Sequence, residues 1–97
     1  MRVIAKRTLR EFWERHADVK PQLQAWLENA ERAAWNTPRD IQDIHGVDAV
    51  LPGNRAVFNL KGNNYRLVVQ IHYNTGIVYI RFIGTHAEYD RIDALRI

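Results

Sequence analysis

From Arg55 to Thr85 apolar and polar residues alternate with period two, interrupted by two turn-forming clusters, Lys61-Gly62-Asn63-Asn64 and Asn74-Thr75-Gly76. Successive side chains of a strand point to opposite faces, so the stretch predicts an antiparallel meander of three strands with two unlike faces. One face takes Ala56, Phe58, Leu60, Leu67, Val69, Ile71, Tyr73, Val78, Ile80 and Phe82, and should line a core. The other takes Arg55, Val57, Asn59, Lys61, Arg66, Val68, Gln70, His72, Ile77, Tyr79, Arg81 and Ile83, and should stay wet.

Helical spacing governs the first half. Arg2 to Ala5 reads as a short opening strand. Thr8, with Glu11 three residues on, has the form of a capping box for a helix carrying Leu9, Phe12, Trp13 and His16. A second helix should begin between Asp18 and Pro21, with Leu23, Trp26, Leu27, Ala30 and Ala34 as its apolar stripe. Thr37-Pro38 predicts the start of a short third helix through Ile41 and Ile44, closed by Gly46. A brief strand fits Ala49 to Leu51. Beyond the meander, Thr85 and Glu88 form another capping-box pattern, opening a terminal helix with Tyr89, Ile92 and Leu95. Helices first and strands later mean an α+β fold, with helices packed on one sheet face and the other face open.

The 97 residues suffice for one domain, 1–97, and a hydrophobic share of 46% supports a packed core rather than disorder. Without cysteine there is no disulfide, thiolate nucleophile or zinc-thiolate site. No apolar run reaches membrane-spanning length and no signal-peptide core is present, so a cytoplasmic protein without membrane contact is expected. A net charge of +3 alone does not identify a nucleic-acid binder. Its distribution says more. Arg55, Lys61, Arg66, His72 and Arg81 fall in a stretch without Asp or Glu. Like charges gathered on a rigid surface cost folding energy unless a partner neutralises them, so the wet face suits a phosphate-bearing ligand.

A single surface arginine is as often merely solvated as functional. Arg66, however, shares its face with Asn59, Lys61, His72, Tyr79 and Arg81, and arginine grips phosphate through paired hydrogen bonds. His86 and Tyr89, three apart in a helical first turn, can share one side and serve as acid and base; the bland alternatives are a surface imidazole and a half-packed phenol. His86-Ala87-Glu88 matches the H-x-E of zinc deaminases only superficially, because the cysteines are missing. There is no HExxH, P-loop or GxSxG pattern, so no metal and no cofactor is expected. His16 and His45 read as packing or solvent residues, and Trp13, Trp26 and Trp35, on helical stripes, as core. Trp35, near a helix end, could be partly exposed instead.

A basic open sheet with an imidazole and a phenol, and no metal motif, points to RNA cleavage. The 2′-OH beside the scissile phosphate is then the nucleophile, and the protein removes its proton, stabilises the phosphorane and protonates the leaving 5′-oxygen. DNA has no 2′-OH and cannot react this way.

Phe58-Asn59-Leu60-Lys61-Gly62-Asn63-Asn64-Tyr65-Arg66-Leu67, together with Val78 to Asp90, resembles the HigB family of toxins in the RelE-like superfamily of type II toxin–antitoxin systems. The resemblance extends through Pro38-Arg39-Asp40-Ile41 and Arg91-Ile92-Asp93. It implies a small RelE-like α+β fold and an mRNA endonuclease activity, usually on the ribosome. It also implies a helix-turn-helix antitoxin partner of the HigA type. Carried over by motif, Asn59, Arg66, Arg81, His86 and Tyr89 are the catalytic expectations. Arg55, Lys61, Asn63, His72 and Tyr79 are expected to bind RNA. Some relatives have lysine at the position of Asn59 and arginine at that of His86, so the acid and base must be argued for this chain. On these grounds Arg66 and Arg81 would hold the scissile phosphate, with His86 and Tyr89 moving protons.

Two rivals remain at this stage. A non-catalytic module could block translation by occupying RNA or the ribosome with the same basic face. Direct DNA binding is disfavoured, because no helix carries a basic recognition face.

Overall fold

A computed structural model describes residues 1–97 apart from the side chain of Val47. The predicted meander forms the centre of the sheet. β3 (Arg55–Leu60), β4 (Tyr65–His72) and β5 (Ile77–Thr85) pair antiparallel, joined by the two expected turns. β1 (Arg2–Ile4) lies parallel to β5 at one edge, and the two-residue β2 (Val50–Leu51) pairs with β3 at the other, giving the order β1-β5-β4-β3-β2. The parallel edge strand makes the sheet mixed rather than wholly antiparallel.

The helices pack on the predicted apolar face. From α1 (Lys6–Arg15), Leu9 and Phe12 are buried; from α2 (Lys20–Arg32), Leu23, Trp26, Leu27 and Ala30 are. They meet Ala56, Phe58, Leu60, Leu67, Val69, Ile71 and Val78 of the sheet in one cluster. Each large apolar side chain withdrawn from water contributes about 1.5–3 kcal/mol, which is why this stripe-on-sheet contact fixes the helices. Trp35 is buried in the same cluster, so it is not exposed for a partner. His16 is half-buried and stacks on Phe12 with centroids 4.3 Å apart, whereas His45 meets Phe58 edge-on at 4.7 Å while the residue stays exposed. Partial desolvation lowers the basicity of His45.

Several boundaries differ from expectation. α1 starts at Lys6, immediately after β1, so Thr8 lies within its first turn and is not the cap. Glu11 pairs instead with Arg7, at 2.7 Å. Ala34 falls beyond the end of α2 and is exposed. α3 (Pro38–His45) follows the prediction: the Asp40 carboxylate accepts from the N–H groups of Asn36 and Thr37 at 2.8 and 3.2 Å, and Gly46 ends the helix at φ 90°. The terminal helix α4 (His86–Tyr89) is a single turn, and Ile92 and Leu95 lie outside it. Among the described residues, no helix is long and apolar enough to cross a membrane.

The main departure is inside β5. Val69 pairs with Ile80 but Val68 pairs with Phe82, leaving Arg81 as an extra residue, a β-bulge. The alternation changes phase there. Ile83, expected on the wet face, packs against the core, and Phe82, expected in the core, joins the opposite face beside Val68. Val68 is fully buried without belonging to the main core, so the face opposite the helices carries a small apolar patch of its own.

Candidate RNA-cleavage site

The face opposite the helices presents two clusters, one at each end of β4. The first gathers where β5 runs into α4. Asn59 and Arg66 are cross-strand partners, and Arg66 pairs in turn with Gly84. The Arg66 guanidinium lies 5.6 Å from the centre of the Tyr89 ring and donates from Nη1 to Asn63 Oδ1 at 3.3 Å. A cation over a phenol face is held electrostatically by the ring, which orients it without neutralising it.

Local sequence explains why Tyr89 stands there. Thr85 caps α4: its Oγ1 accepts from Glu88 N at 3.2 Å, and Glu88 Oε1 accepts from Thr85 N at 2.9 Å. The Thr85 N–H holds the Glu88 carboxyl below the usual carboxylate range, with Thr85 Oγ1 adding to the effect. His86 N donates to the Asn64 carbonyl at 3.0 Å, binding the helix start to the β3–β4 turn. The His86 side chain is exposed, with Nδ1 3.8 Å from Asp90 Oδ2. That is ion-pair range, too long for a hydrogen bond.

A second set of contacts fastens the turn from behind. Asp18, in the short 3-10 turn Ala17–Val19, accepts from Tyr65 Oη at 2.8 Å and from Lys61 Nζ at 3.1 Å. The tyrosine hydroxyl, and then the lysine, hold the Asp18 carboxyl below its ordinary range, while Asp18 pushes the Tyr65 phenol up. Lys61 therefore does not continue the wet face. It follows the end of β3, sits at φ 50° in the turn, and swings to the helix side.

The second cluster lies four residues along β4. Arg81 donates from Nη2 to Gln70 Oε1 at 2.8 Å and lies 5.4 Å from the centre of the Tyr79 ring. Tyr79 meets His72 edge-on, centroids 4.9 Å apart. Between the clusters sits Phe82, its ring folded over Gly84: a Cβ at Gly84 would lie 2.5 Å from Phe82 Cζ. The Phe82 and Tyr89 rings are 6.4 Å apart. Arg55, further along β3, donates to the Ile97 carbonyl, so the C-terminal segment returns from α4 along the β3 side of this face.

Such an arrangement suits a polyanion whose reacting phosphate meets an oriented guanidinium beside two groups able to move protons. The family model of HigB toxins, the RelE-like toxic component of a toxin-antitoxin system, matches residues 19–92. The chain belongs to the HigB toxin family. Among its relatives, the mRNA interferase toxin HigB of Escherichia coli K12 is 26% identical over 103 aligned residues, spanning 98% of this chain and 93% of that protein. The mRNA interferases HigB of Escherichia coli O157:H7 and Shigella flexneri match to the same extent.

In this HigB-family chain the sequence-derived residues therefore fall into three groups. Asn59, Asn63, Arg66 and Tyr89 come together, with His86 on the adjoining helix turn. Tyr79, Arg81 and His72 form the other cluster. Lys61 and Arg55 are engaged within the protein. Sequence reasoning missed Phe82, re-phased by the bulge, and Asp18, for which no local signal exists. It also missed Arg2, which the parallel pairing of β1 sets beside Ile77 on the face of His72.

Proposed function

We propose that this protein is an mRNA interferase that cuts the transcript by internal attack of a 2′-OH, without a metal ion, on ribosome-bound mRNA. The observation that carries this reading is the Arg66–Tyr89 pair, with His86 on the same helix turn as Tyr89, at the edge of strands β3–β5 that hold no carboxylate. Arg66 takes the scissile phosphate and the charge that grows on it. Of His86 and Tyr89, one removes the 2′-proton as the 2′-oxygen attacks phosphorus. The other protonates the 5′-oxygen as the P–O5′ bond breaks. Asn59 and Asn63 flank the phosphate. The family's antitoxin partner is, on this reading, a helix-turn-helix protein of the HigA type, and the toxin acts in the cytoplasm.

The test is induction with and without the neighbouring open reading frame, reading growth and transcript ends together. Growth arrest with new mRNA ends carrying a 5′-hydroxyl is expected, and co-expression of the antitoxin should suppress both. Ends with a 5′-phosphate would overturn internal attack. Arrest with intact transcripts would replace cleavage by occupancy.

A further inference from the structure

The two arginines expected to share one phosphate do not converge. Arg66 is turned toward Asn63 and Tyr89, Arg81 toward Gln70 and Tyr79. The Arg81 backbone lies between the positions opposite Val68 and Val69, close to the level of Arg66, but its side chain runs away from Arg66 to Gln70. As they stand, the two guanidinium groups point toward opposite ends of β4.

Resting on the interferase reading, we propose that Tyr79, Arg81, His72 and Gln70 form a second nucleotide subsite, which stacks a base flanking the cut and contributes to the choice of cleavage position. The cluster is built of flat groups. Tyr79 is half-buried and thus fixed, and His72 braces its ring from one side. Gln70, directly opposite Tyr79 in the ladder, holds the Arg81 guanidinium near the ring while its own Nε2 donates to Gly53 O at 3.4 Å. That contact uses one of the five N–H groups of arginine, leaving others for a phosphate or a base edge. Arg2 brings a further cation from β1, and no carboxylate lies on β4 or β5. Aromatic rings beside cations are how single-stranded RNA is held without pairing, since every base offers a π-face. The bulge is what places Arg81 here: as the extra residue of β5 it has no partner across the ladder.

Transcript-end mapping, with single-turnover cutting of programmed ribosomes, compares the wild type with Tyr79→Leu, Tyr79→Phe and Arg81→Gln. Tyr79→Leu should keep cutting at saturating mRNA, but its half-saturating mRNA concentration should rise roughly tenfold, the scale of one lost stack. The base preference at one position beside the cut should flatten. Tyr79→Phe keeps the ring and should match the wild type. Arg81→Gln should show the same flattening as Tyr79→Leu, which keeps the test available if the leucine variant does not fold. Unchanged preference and saturation in Tyr79→Leu or Arg81→Gln would overturn the subsite. So would a collapse of the saturated rate, because it would place the cluster in the chemistry. A wild type that cuts no RNA would instead sink the interferase reading itself.

Discussion

The two ends of the face opposite the helices are held in different ways. At the Arg66 end, side chain and backbone interlock: Asp18 holds Tyr65 and Lys61, Asn64 holds the start of α4, and the Thr85–Glu88 box sets where Tyr89 stands. At the Arg81 end, the Gln70 amide bridges Arg81 and the Gly53 carbonyl, and ring packing completes the cluster. A reacting phosphate tolerates little displacement, so the fastened end suits chemistry. A base can be stacked in more than one orientation, so the looser end suits reading. Rigidity here follows the number of independent tethers rather than the type of strand.

The sharpest way to break this contrast is Arg66→Ala. Loss of a preorganised charge partner for the phosphorane should lower the cleavage rate by about 10²–10³. Circular dichroism and melting temperature should stay close to wild type, since the side chain is only half-buried. Growth arrest at equal expression would show that the fastened end is not the reaction centre.

Gly84→Ala probes the boundary between the clusters. The new methyl meets the Phe82 ring, which must swing away, and overpacking of this kind costs about 1–3 kcal/mol in chemical denaturation. In a Phe82→Ala background the added cost should nearly vanish, because the clash is gone. An equal cost in both backgrounds would place the strain in the backbone instead.

The smallest effect concerns acid. Asp18 and Glu88 are both held below the ordinary carboxylate range in the folded state. Each therefore adds stability that is present above its unfolded-state value and lost as pH falls through the folded one. Thermal melts should show wild-type stability declining through the acidic carboxylate range. Asp18→Asn and Glu88→Gln should each flatten part of that decline. An unchanged slope in both would remove the two carboxylates from the tethering of this end.

Much of this was legible in the residues. Period-two alternation identified β3 and β4 with their faces, because both strands run without interruption through the sheet. Thr85–Glu88 and Thr37–Pro38 marked helix starts because capping is local chemistry. What failed was non-local. Alternation in β5 continues past Arg81 in the sequence, and only pairing with β4 shows that Phe82 and Ile83 exchange sides. The role of Asp18 depends on a contact across 47 positions. The parallel seat of β1, and with it the placement of Arg2, is likewise set by packing rather than by its own three residues. The partition of the site into two clusters followed from these same hidden pairings, so alternation gathered the cations, Lys61 excepted, on one face without sorting them into groups.

The extra residue in β5 also acts as a spatial frame shift. Deleting Arg81 would restore simple pairing while leaving Phe82 opposite Val68, Ile83 opposite Leu67 and Gly84 opposite Arg66, so no side chain downstream would change sides. Keeping Arg81 in regular alternation would instead send Phe82 inward and Ile83 outward. The bulge is therefore a joint that absorbs one amino acid and spares the surface beyond it.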